Sequence, residues 1–261
     1  MSIEAKKLCF SYGAQDVLRD VSFTAGRGEI VAVLGPNGVG KSTLFGCLLG
    51  FLKPSSGEIL ADEKLLQAYS RRDLASKIAY IPQSYAPAFD HTVLDSVLMG
   101  MTAQLPILAQ PGLEQEQKAM QALQELGIEK LARRGCTRIS GGERQLMLLA
   151  RALVQDAGTL IMDEPTANLD YGNSSRVMQR VRKLGEKGYS VVFSTHDPNQ
   201  ALSYATKVLA LKSGRVLACG RPEEVLTQEI LSALYGVQVS VCQVELPHGR
   251  RTICLAQTQE A

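Results

Sequence analysis

Four short apolar runs stand out along the chain, and each ends at a residue with distinctive chemistry. They are "EIVAVLG" (29–35), "KIAYIPQ" (77–83), "TLIMDEP" (159–165) and "SVVFSTH" (190–196). Runs this apolar are typical of strands that are buried on both faces, as in a parallel sheet covered by helices. Because helical patterns alternate with them, we expect an α/β layered fold.

Apolar residues at helical spacing predict that segments between these strands are helices. One helix is predicted from Ser42 to about Leu52, and its inward stripe consists of Leu44, Phe45, Leu48, Leu49 and Leu52. A second is predicted from Glu114 to Leu126, ending at Gly127, with Ala119, Met120, Leu123 and Leu126 facing inward.

Capping and turn signals mark further boundaries. Capping boxes are predicted at "SRRD" (70–73) and "TVLD" (92–95), and Asp197-Pro198 is typical of an N-cap followed by the first helical residue. Two hairpins are predicted over 208–220, turning at Ser213-Gly214, and over 237–257, turning near His248-Gly249.

A change of composition divides the chain. Between about 84 and 136, three prolines, a glutamine-rich helix and no convincing strand predict a mostly helical insert. We therefore predict a core in two parts, 1–85 and 137–225, separated by a helical subdomain at 86–136. The remaining residues, 226–261, are predicted to form a C-terminal helix and a β-hairpin extension.

Composition and charge exclude several classes of protein. The 261 residues are 45% hydrophobic and 21% charged, as in soluble globular proteins, and a net charge of +2 gives no argument for nucleic-acid binding. Six cysteines without a CxxC pair support neither a zinc site nor a disulfide framework and fit a reducing cytosol. The polar start "MSIEAKK" predicts no signal peptide, and no run reaches the roughly 20 apolar residues of a membrane span. We expect any membrane role to come through a partner.

The stretch "GPNGVGKST" fulfils the phosphate-loop pattern G-x-x-x-x-G-K-[ST]. Its glycines let backbone N–H groups turn towards phosphate oxygens at the start of the next helix. Lys41 is expected to place a charge on the outer phosphates, and Ser42 to offer its hydroxyl to Mg²⁺. The predicted nucleotide-binding residues here are Gly35, Pro36, Asn37, Gly38, Val39, Gly40, Lys41, Ser42 and Thr43.

Two adjacent acids, Asp163 and Glu164, end the third apolar run. Neighbouring residues on a strand face opposite sides, so we expect the two carboxylates to differ in role. Asp163 is assigned to the Mg²⁺ shell, and Glu164 to polarising the attacking water as general base. Most acid pairs are simply solvated, but the hydrophobic strand before this pair argues against that alternative.

Gln83 and His196 follow apolar runs in the same way. In a parallel sheet these turns meet at the carboxyl edge, where open α/β sheets bind ligands. Gln83 is expected to contact the metal or the water, and His196 the γ-phosphate. Tyr12, in "FSYGAQ", is a candidate to stack on adenine, although a lone tyrosine is more often a core or surface aromatic.

A second glycine pair, in "ISGGERQ" (139–145), predicts another anion site. Ser140, Gly141 and Gly142 present N–H groups at the start of a helix whose continuation, "LMLLARALV" (146–154), is almost entirely apolar. It is preceded by "RRGCTR" rather than by a strand, so we expect it to lie away from the first phosphate site. The residues alone do not say whose anion it binds.

Together these motifs resemble the ATP-binding-cassette family, specifically a stand-alone ATPase subunit of an importer. The resemblance covers nearly the whole chain and implies ATP and Mg²⁺ as cofactors on a P-loop NTPase core with a mostly parallel sheet, an antiparallel N-terminal β portion and a helical subdomain. The matching segments, in family terms, are the adenine-stacking aromatic Tyr12, Walker A at Gly35–Thr43, the Q-loop Gln83, the signature with Ser140, Gly141, Gly142 and Glu143, Walker B with Asp163 and Glu164, the D-loop at 167–170 and the switch His196. The sequence departs from the family pattern at Ile139 for leucine, Glu143 for glutamine and Thr159 at the start of Walker B, and none of these removes a catalytic group.

Three phrases narrow the subfamily. "VLDSVLMG" (93–100), "THDPNQAL" (195–202) and "EILSALYGVQVSV" (229–241) are similar to ATPases that serve iron-siderophore, haem, cobalamin and molybdate uptake. The usual phrase after the switch histidine is Asp-Leu-Asn-Gln, and here it is Asp-Pro-Asn-Gln, so the cargo stays open. A soluble ATPase acting on nucleic acid or ribosomes is the alternative, but such relatives usually carry two cassettes or a long coiled-coil insertion. An exporter motor subunit is a further alternative.

The resemblance also implies partners. Two copies pack head to tail, and the signature of one subunit closes on the γ-phosphate held by Walker A of the other. A permease dimer in the membrane contacts the helical subdomain, an extracytoplasmic substrate-binding protein acts through that permease, and the chain lies peripherally on the cytoplasmic face. No nucleic acid is expected as a partner. Two roles, contact with the permease and packing in the core of the subdomain, are equally open alternatives for five residues: Phe89, Val93, Val97, Leu98 and Met99.

Overall fold

The computed structural model describes residues 1–87, 89–106, 109–247 and 249–257. In chain order the strands are β1 (Ile3–Tyr12), β2 (Gln15–Ala25), β3 (Ile30–Leu34), β4 (Ser56–Ala61), β5 (Lys64–Leu65), β6 (Ile78–Ile81), β7 (Thr159–Met162), β8 (Ser190–Thr195), β9 (Lys207–Lys212), β10 (Arg215–Gly220), β11 (Val239–Leu246) and β12 (Gly249–Ala256). The α-helices are α1 (Lys41–Leu48), α2 (Arg71–Ala75), α3 (Val93–Leu98), α4 (Leu113–Leu126), α5 (Gly141–Val154), α6 (Tyr171–Glu186), α7 (Pro198–Tyr204), α8 (Pro222–Val225) and α9 (Gln228–Tyr235).

A six-stranded sheet in the order β10-β9-β3-β8-β7-β6 forms the centre of the fold. Its strands are parallel except for β10, which pairs antiparallel with β9 at one edge. The four apolar runs of the sequence are β3, β6, β7 and β8. This confirms the predicted parallel sheet, and it brings the carboxyl ends of all four strands to one edge.

Both faces of the central sheet are covered, and alternate residues of β3 show how. Ile30, Ala32 and Leu34 belong to a core shared with helices α3 to α6, whereas Val31 and Val33 pack towards α1 and a second sheet. That second sheet is antiparallel, in the order β2-β1-β4-β5. The two layers explain why the central strands are apolar at every position rather than at every second one.

Helix α1 is shorter than the sequence predicts. It ends at Leu48, with Leu49 as its C-cap, because Gly50 takes a left-handed conformation (φ +70°) that stops the helix. Leu44, Phe45, Leu48 and Leu49 are buried as expected. Leu52, expected in the same stripe, lies beyond the helix and packs its side chain over Gly46.

Other predicted boundaries are confirmed. Thr92 and Asp95 form the capping box predicted for α3, whereas at α2 only half of the predicted box is present, the Ser70 side chain accepting the Asp73 N–H. Asp197 caps α7 with Pro198 at the first helical position, and α4 ends at Gly127 in a left-handed conformation. β9 and β10 form the hairpin predicted at Ser213-Gly214, and β11 and β12 form the C-terminal one. His248, named for that second turn, lies outside the described residues.

Helices α3 and α4 pack on α5, which supplies the apolar centre of the helical region. The structure buries Val93 and Val97 completely, which confirms core packing, one of the two alternatives left open for them. Phe89 is 71% exposed and Met99 is 38% exposed. Within the described ranges, none of the helices combines the length and apolarity needed to cross a membrane. The predicted division into four segments stays a prediction.

Candidate functional site

The loop between β3 and α1 depends on its glycines for steric reasons. A Cβ at Gly35 would lie 2.5 Å from the carbonyl oxygen of Leu211, and Gly40 has a φ of +109° with a Cβ position 3.1 Å from Leu18. Gly38 is also left-handed, with φ +78°. The chain can therefore turn tightly from the strand into α1 only with glycine at these positions.

The start of α1 is suited to an anion. Gly40 is its N-cap, no side chain caps it, and no acidic residue lies in its first turn. Its first N–H groups are therefore available together with the positive end of the helix dipole. Ser42 is exposed and Thr43 is partly buried in this turn.

Lys41 is buried at the base of this loop, with only 6% of the residue exposed. Its Nζ donates hydrogen bonds to the carbonyl oxygens of Gly35 (2.7 Å) and Pro36 (3.1 Å), and lies 3.6 Å from Oε1 of Glu164. Burial lowers the pKa of the Lys41 ammonium, and the carboxylates of Glu164 and Asp163 oppose that shift. Two carbonyl oxygens therefore hold the Lys41 amine in a position that faces Glu164.

Glu164 is where the predicted catalytic side chains meet. Its Oε1 lies 3.6 Å from Lys41 Nζ and 3.6 Å from Nδ1 of His196, and its Oε2 accepts a hydrogen bond from Nε2 of Gln83 at 3.2 Å. The Glu164 side chain is only 13% exposed. The convergence predicted from the carboxyl ends of β6, β7 and β8 is thus present as measured contacts.

The backbone of Glu164 corrects one expectation. Strand β7 ends at Met162, so Asp163 and Glu164 are not separated by strand alternation. Glu164 instead adopts a left-handed conformation, with φ +41°, which is rare for a residue with a side chain. This turn, rather than the strand, directs the two carboxylates differently.

Ser194 organises the acid pair and was missed from the sequence. It is completely buried in β8; its hydroxyl donates to Oδ1 of Asp163 (2.6 Å) and accepts the Glu164 N–H (2.8 Å). A serine inside an otherwise apolar run, two residues before His196, was the available signal. Asp163 is itself 7% exposed, and its N–H continues the sheet by donating to Ile81 at 2.9 Å.

The oxygen donors at this edge fit a hard divalent cation. The hydroxyl of Ser42, the amide oxygen of Gln83 and the carboxylate of Asp163 are ligands of the kind that Mg²⁺ takes. Ser194 holds one Asp163 oxygen, which fixes the orientation of that carboxylate. With the uncapped start of α1, the residues present fit a nucleotide phosphate chain and its metal.

Tyr12 lies at the end of β1 and is 54% exposed. Its ring meets Phe10 edge to face, with 4.8 Å between the centroids. Phe10 supports the ring from one side while much of its surface stays in contact with solvent. The position suits a stacking surface, and that role stays a prediction.

The second glycine pair begins α5 and is already capped. Ser140 Oγ accepts the Glu143 N–H (3.3 Å), and Glu143 Oε2 accepts the Ser140 N–H (2.8 Å). A Cβ at Gly142 would lie 2.6 Å from the Asn173 side chain, and one at Gly141 would lie 3.2 Å from Leu169. These glycines permit the close approach of α5 to the start of α6, and Glu143 supplies an acidic cap at the predicted anion site.

Comparisons with known proteins agree with this arrangement. The family described as "ABC transporter" matches residues 18–167. A molybdate import ATP-binding protein of Haemophilus influenzae is 37% identical over 236 residues, which is 90% of this chain and 88% of the relative. A hemin import ATP-binding protein of Thermobifida fusca is 36% identical over 237 residues, which is 91% of this chain and 83% of the relative.

A solved structure extends the match to the whole fold. It is described as an inward-facing conformation of a metal-chelate type ABC transporter; its TM-score is 0.89 at 34% identity, over 99% of this chain and 98% of that one. The motifs, the site contacts and these matches point the same way. The chain belongs to the ABC transporter family, as one of its ATPase subunits.

Proposed function

We propose that this chain is the ATP-hydrolysing motor of an importer that takes up a metal chelate or an oxyanion through a membrane permease. The observation that carries the proposal is the convergence of Lys41, Gln83 and His196 on the carboxylate of Glu164. The import roles printed for similar proteins, and the metal-chelate type of the structural neighbour, support it. Iron-siderophore is the favoured cargo, and haem, cobalamin and molybdate remain alternatives.

The phosphate chain of ATP is proposed to bind the loop from Gly35 to Thr43, with Tyr12 against the adenine. Lys41 places its charge on the outer phosphates, because its ammonium is fixed by two carbonyl oxygens. Ser42, Gln83 and Asp163 would hold Mg²⁺, which would supply charge neutralisation on the phosphates.

The hydrolytic step is proposed to use Glu164 as general base. Its carboxylate accepts a proton from the attacking water, and His196 hydrogen-bonds the γ-phosphate. Lys41 Nζ and His196 Nδ1 both lie 3.6 Å from Glu164 Oε1, so both side chains border the same oxygen of the base. Gln83 holds the second oxygen.

The working unit is proposed to be a head-to-tail homodimer. Ser140, Gly141, Gly142 and Glu143 of one subunit then face the γ-phosphate held by Gly35–Thr43 of the other. The support is chemical: α5 begins with N–H groups at a positive helix end. In such a dimer, the first anion site of each chain binds its own ATP, and the second contacts the ATP held by the other subunit.

A permease helix is proposed to dock beside the Gln83 loop. A groove of about 630 Å³ lies there, and its apolar lining includes Leu49, Phe51, Tyr80, Tyr85 and Leu148. Phe51 is 72% exposed and meets Tyr80 edge to face at 6.3 Å. Such exposed aromatic surface is typical of a protein contact, and the exposed Phe89 and Met99 are candidates to extend it.

The remaining assignments follow from this assembly. The chain lies peripherally on the cytoplasmic face of the membrane, and an extracytoplasmic binding protein delivers cargo to the permease. Residues 1–85 and 137–225 form the ATPase core, 86–136 the helical subdomain, and 226–261 a C-terminal extension.

Reconstitution tests the proposal. The native complex is purified from membranes through a tag on this chain and placed in proteoliposomes with Mg²⁺ and ATP. We expect ATP-dependent uptake of labelled ferric siderophore, haemin, cobalamin or molybdate, and none with Glu164→Gln. Recovery of the chain without a permease, with ATPase activity that rises on adding RNA or ribosomes, would favour the soluble alternative.

A further inference from the structure

The C-terminal segment contacts the loop that carries His196. The Tyr235 hydroxyl donates a hydrogen bond to the backbone carbonyl oxygen of His196 at 2.8 Å. Tyr235 is the last residue of α9, which buried Leu231 and Leu234 anchor to the core. The donor is therefore held by an element that is itself well packed.

A second contact holds the same loop from β12. The Asn199 side chain donates through Nδ2 to the Cys254 carbonyl oxygen (3.0 Å) and accepts the Cys254 N–H through Oδ1 (2.8 Å). The Asn199 amide therefore forms the same pair of hydrogen bonds with Cys254 that a neighbouring strand would form. Asn199 lies in the first turn of α7, where its own N–H donates to Asp197 at 2.8 Å.

These contacts matter because the imidazole has little support of its own. The His196 side chain is 60% exposed, and its measured partner in the described part of the chain is Glu164, at 3.6 Å. A side chain this exposed depends on its backbone for its position. Burial, with a smaller contribution from Asp197, raises the pKa of the Tyr235 hydroxyl, so that group stays a hydrogen-bond donor at neutral pH.

We propose that Tyr235 and Asn199 are positioning residues for His196. Their hydrogen bonds to α9 and β12 hold the backbone of residues 196–199 in place, and the position of that backbone keeps the His196 imidazole next to Glu164. The C-terminal extension is then part of the hydrolytic machinery rather than an appendage. This inference rests on the role in hydrolysis proposed above for His196.

The first variant is Tyr235→Phe, which removes one hydroxyl and keeps the ring. We expect kcat for ATP hydrolysis by the full chain to fall about five-fold, as for one lost hydrogen bond, with KM for ATP within about two-fold of the original. Tyr69→Phe is the matched control, because the Tyr69 hydroxyl also donates to a backbone carbonyl, that of Ala61, at 2.8 Å. Tyr69→Phe should leave kcat unchanged, since Tyr69 contacts the β4 strand and not the His196 loop.

A double variant separates positioning from general destabilisation. In a His196→Ala background, measured as single-turnover rates with enzyme in excess, Tyr235→Phe should have no further effect, because it acts through the missing imidazole. Asn199→Leu should behave in the same way and replaces Tyr235→Phe if that variant does not fold.

Each outcome has a separate meaning. If His196→Ala hydrolyses ATP as fast as the original chain, the role proposed for His196 fails. If His196→Ala is slow but Tyr235→Phe and Asn199→Leu keep the original kcat, the positioning inference alone is overturned. The inference is equally overturned if these variants lower the rate by the same factor with and without His196.

Discussion

Glu164 adopts a left-handed backbone conformation, which a residue with a side chain disfavours. A left-handed residue other than glycine costs about 1–3 kcal/mol, and such strain persists only where surrounding contacts over-determine it. Here the Ser194 hydroxyl accepts the Glu164 N–H, while Lys41 and Gln83 hold the carboxylate. These contacts keep Glu164 in its strained backbone conformation, and they hold its carboxylate at the centre of the site.

Replacing Glu164 with glutamine tests its role as the base. Glutamine keeps the shape but cannot accept a proton at neutral pH, so we expect turnover to fall about 10²- to 10⁴-fold. ATP binding should persist, and the stalled chain should form an ATP-dependent dimer visible by light scattering. Glu186→Gln, at an exposed ion pair with Arg182, is the control and should hydrolyse normally. A Glu164→Gln protein that stayed monomeric and still turned over ATP would contradict the assignment.

Lys41 gives a pH prediction. Burial lowers its pKa below 10.5 in the folded chain, so between the two values the unfolded chain binds more protons. Unfolding free energy should therefore rise with pH across that window, relative to Lys41→Met, in urea titrations without nucleotide. Lys118, whose pKa is raised by Glu114, should show the opposite sign, above pH 10.5, relative to Lys118→Met. If the unfolding free energy changed with pH by the same slope in the original chain and in Lys41→Met, the argument that burial lowers the Lys41 pKa would be contradicted.

For single residues, the sequence predicts which side chains form the site better than it predicts how they are oriented. Lys41, Gln83, Glu164 and His196 were predicted to converge, because strand ends in a parallel sheet share an edge. The left-handed turn at Glu164 was not predictable, since it depends on Ser194, which is thirty residues away in another strand.

The starts of α1 and α5 differ in chemistry although both were predicted as anion sites. Helix α1 has no acid in its first turn, whereas the first turn of α5 carries Glu143, whose carboxylate accepts the Ser140 N–H. A phosphate approaching α5 therefore meets a negative charge that α1 lacks. The second site should bind an anion less strongly than the first.

Glu143→Gln measures that difference. Glutamine keeps the capping box but removes the charge, which is worth about 1 kcal/mol at contact distance in water. In the Glu164→Gln background we expect ATP-driven dimers to tighten about thirty-fold, because the charge is removed at both sites of the dimer, measured by analytical ultracentrifugation. A dimer weakened by Glu143→Gln would show that the carboxylate supports the interface instead.

The glycines of α5 allow a matched test of close packing. Gly142→Ala would place its Cβ 2.6 Å from Asn173, whose side chain is tied to Asp170, so we expect a loss of about 1–3 kcal/mol in urea unfolding. Gly141→Ala meets only the end of Leu169, at 3.2 Å, and should lose less. Equal losses would mean that the contact with Asn173 does not set the requirement, since helix propensity favours alanine at both positions.

Element ends were predictable where local chemistry decides them. Thr92 and Asp197 cap helices as expected, because the cap bonds lie within a few residues. The end of α1 was placed too late, since the apolar stripe continues past Gly50 to Leu52. Burial of Val93 and Val97 depends on packing against α5, which the sequence of one helix does not reveal.

At the scale of the whole molecule, the proposed dimer, in which each active site combines two subunits, would account for the two predicted anion sites on one chain. The proposed head-to-tail packing is isologous, so one two-fold axis completes both sites at once. Each complete site then needs Lys41 from one subunit and Ser140 from the other.

Mixing two inactive variants tests this composition. Lys41→Ala removes the charge at the phosphate loop, and Ser140→Arg fills the signature with a bulky cation. Alone, each should be inactive. In an equal mixture half of the dimers are mixed, and each mixed dimer keeps one intact site, so we expect about a quarter of the original activity if sites act independently. Ser140→Arg must still bind ATP, and both proteins must show unchanged circular dichroism. With those controls met, a mixture as inactive as its parts would contradict independent active sites shared between subunits, because the surviving Lys41 of each mixed dimer would face a functional signature and still fail.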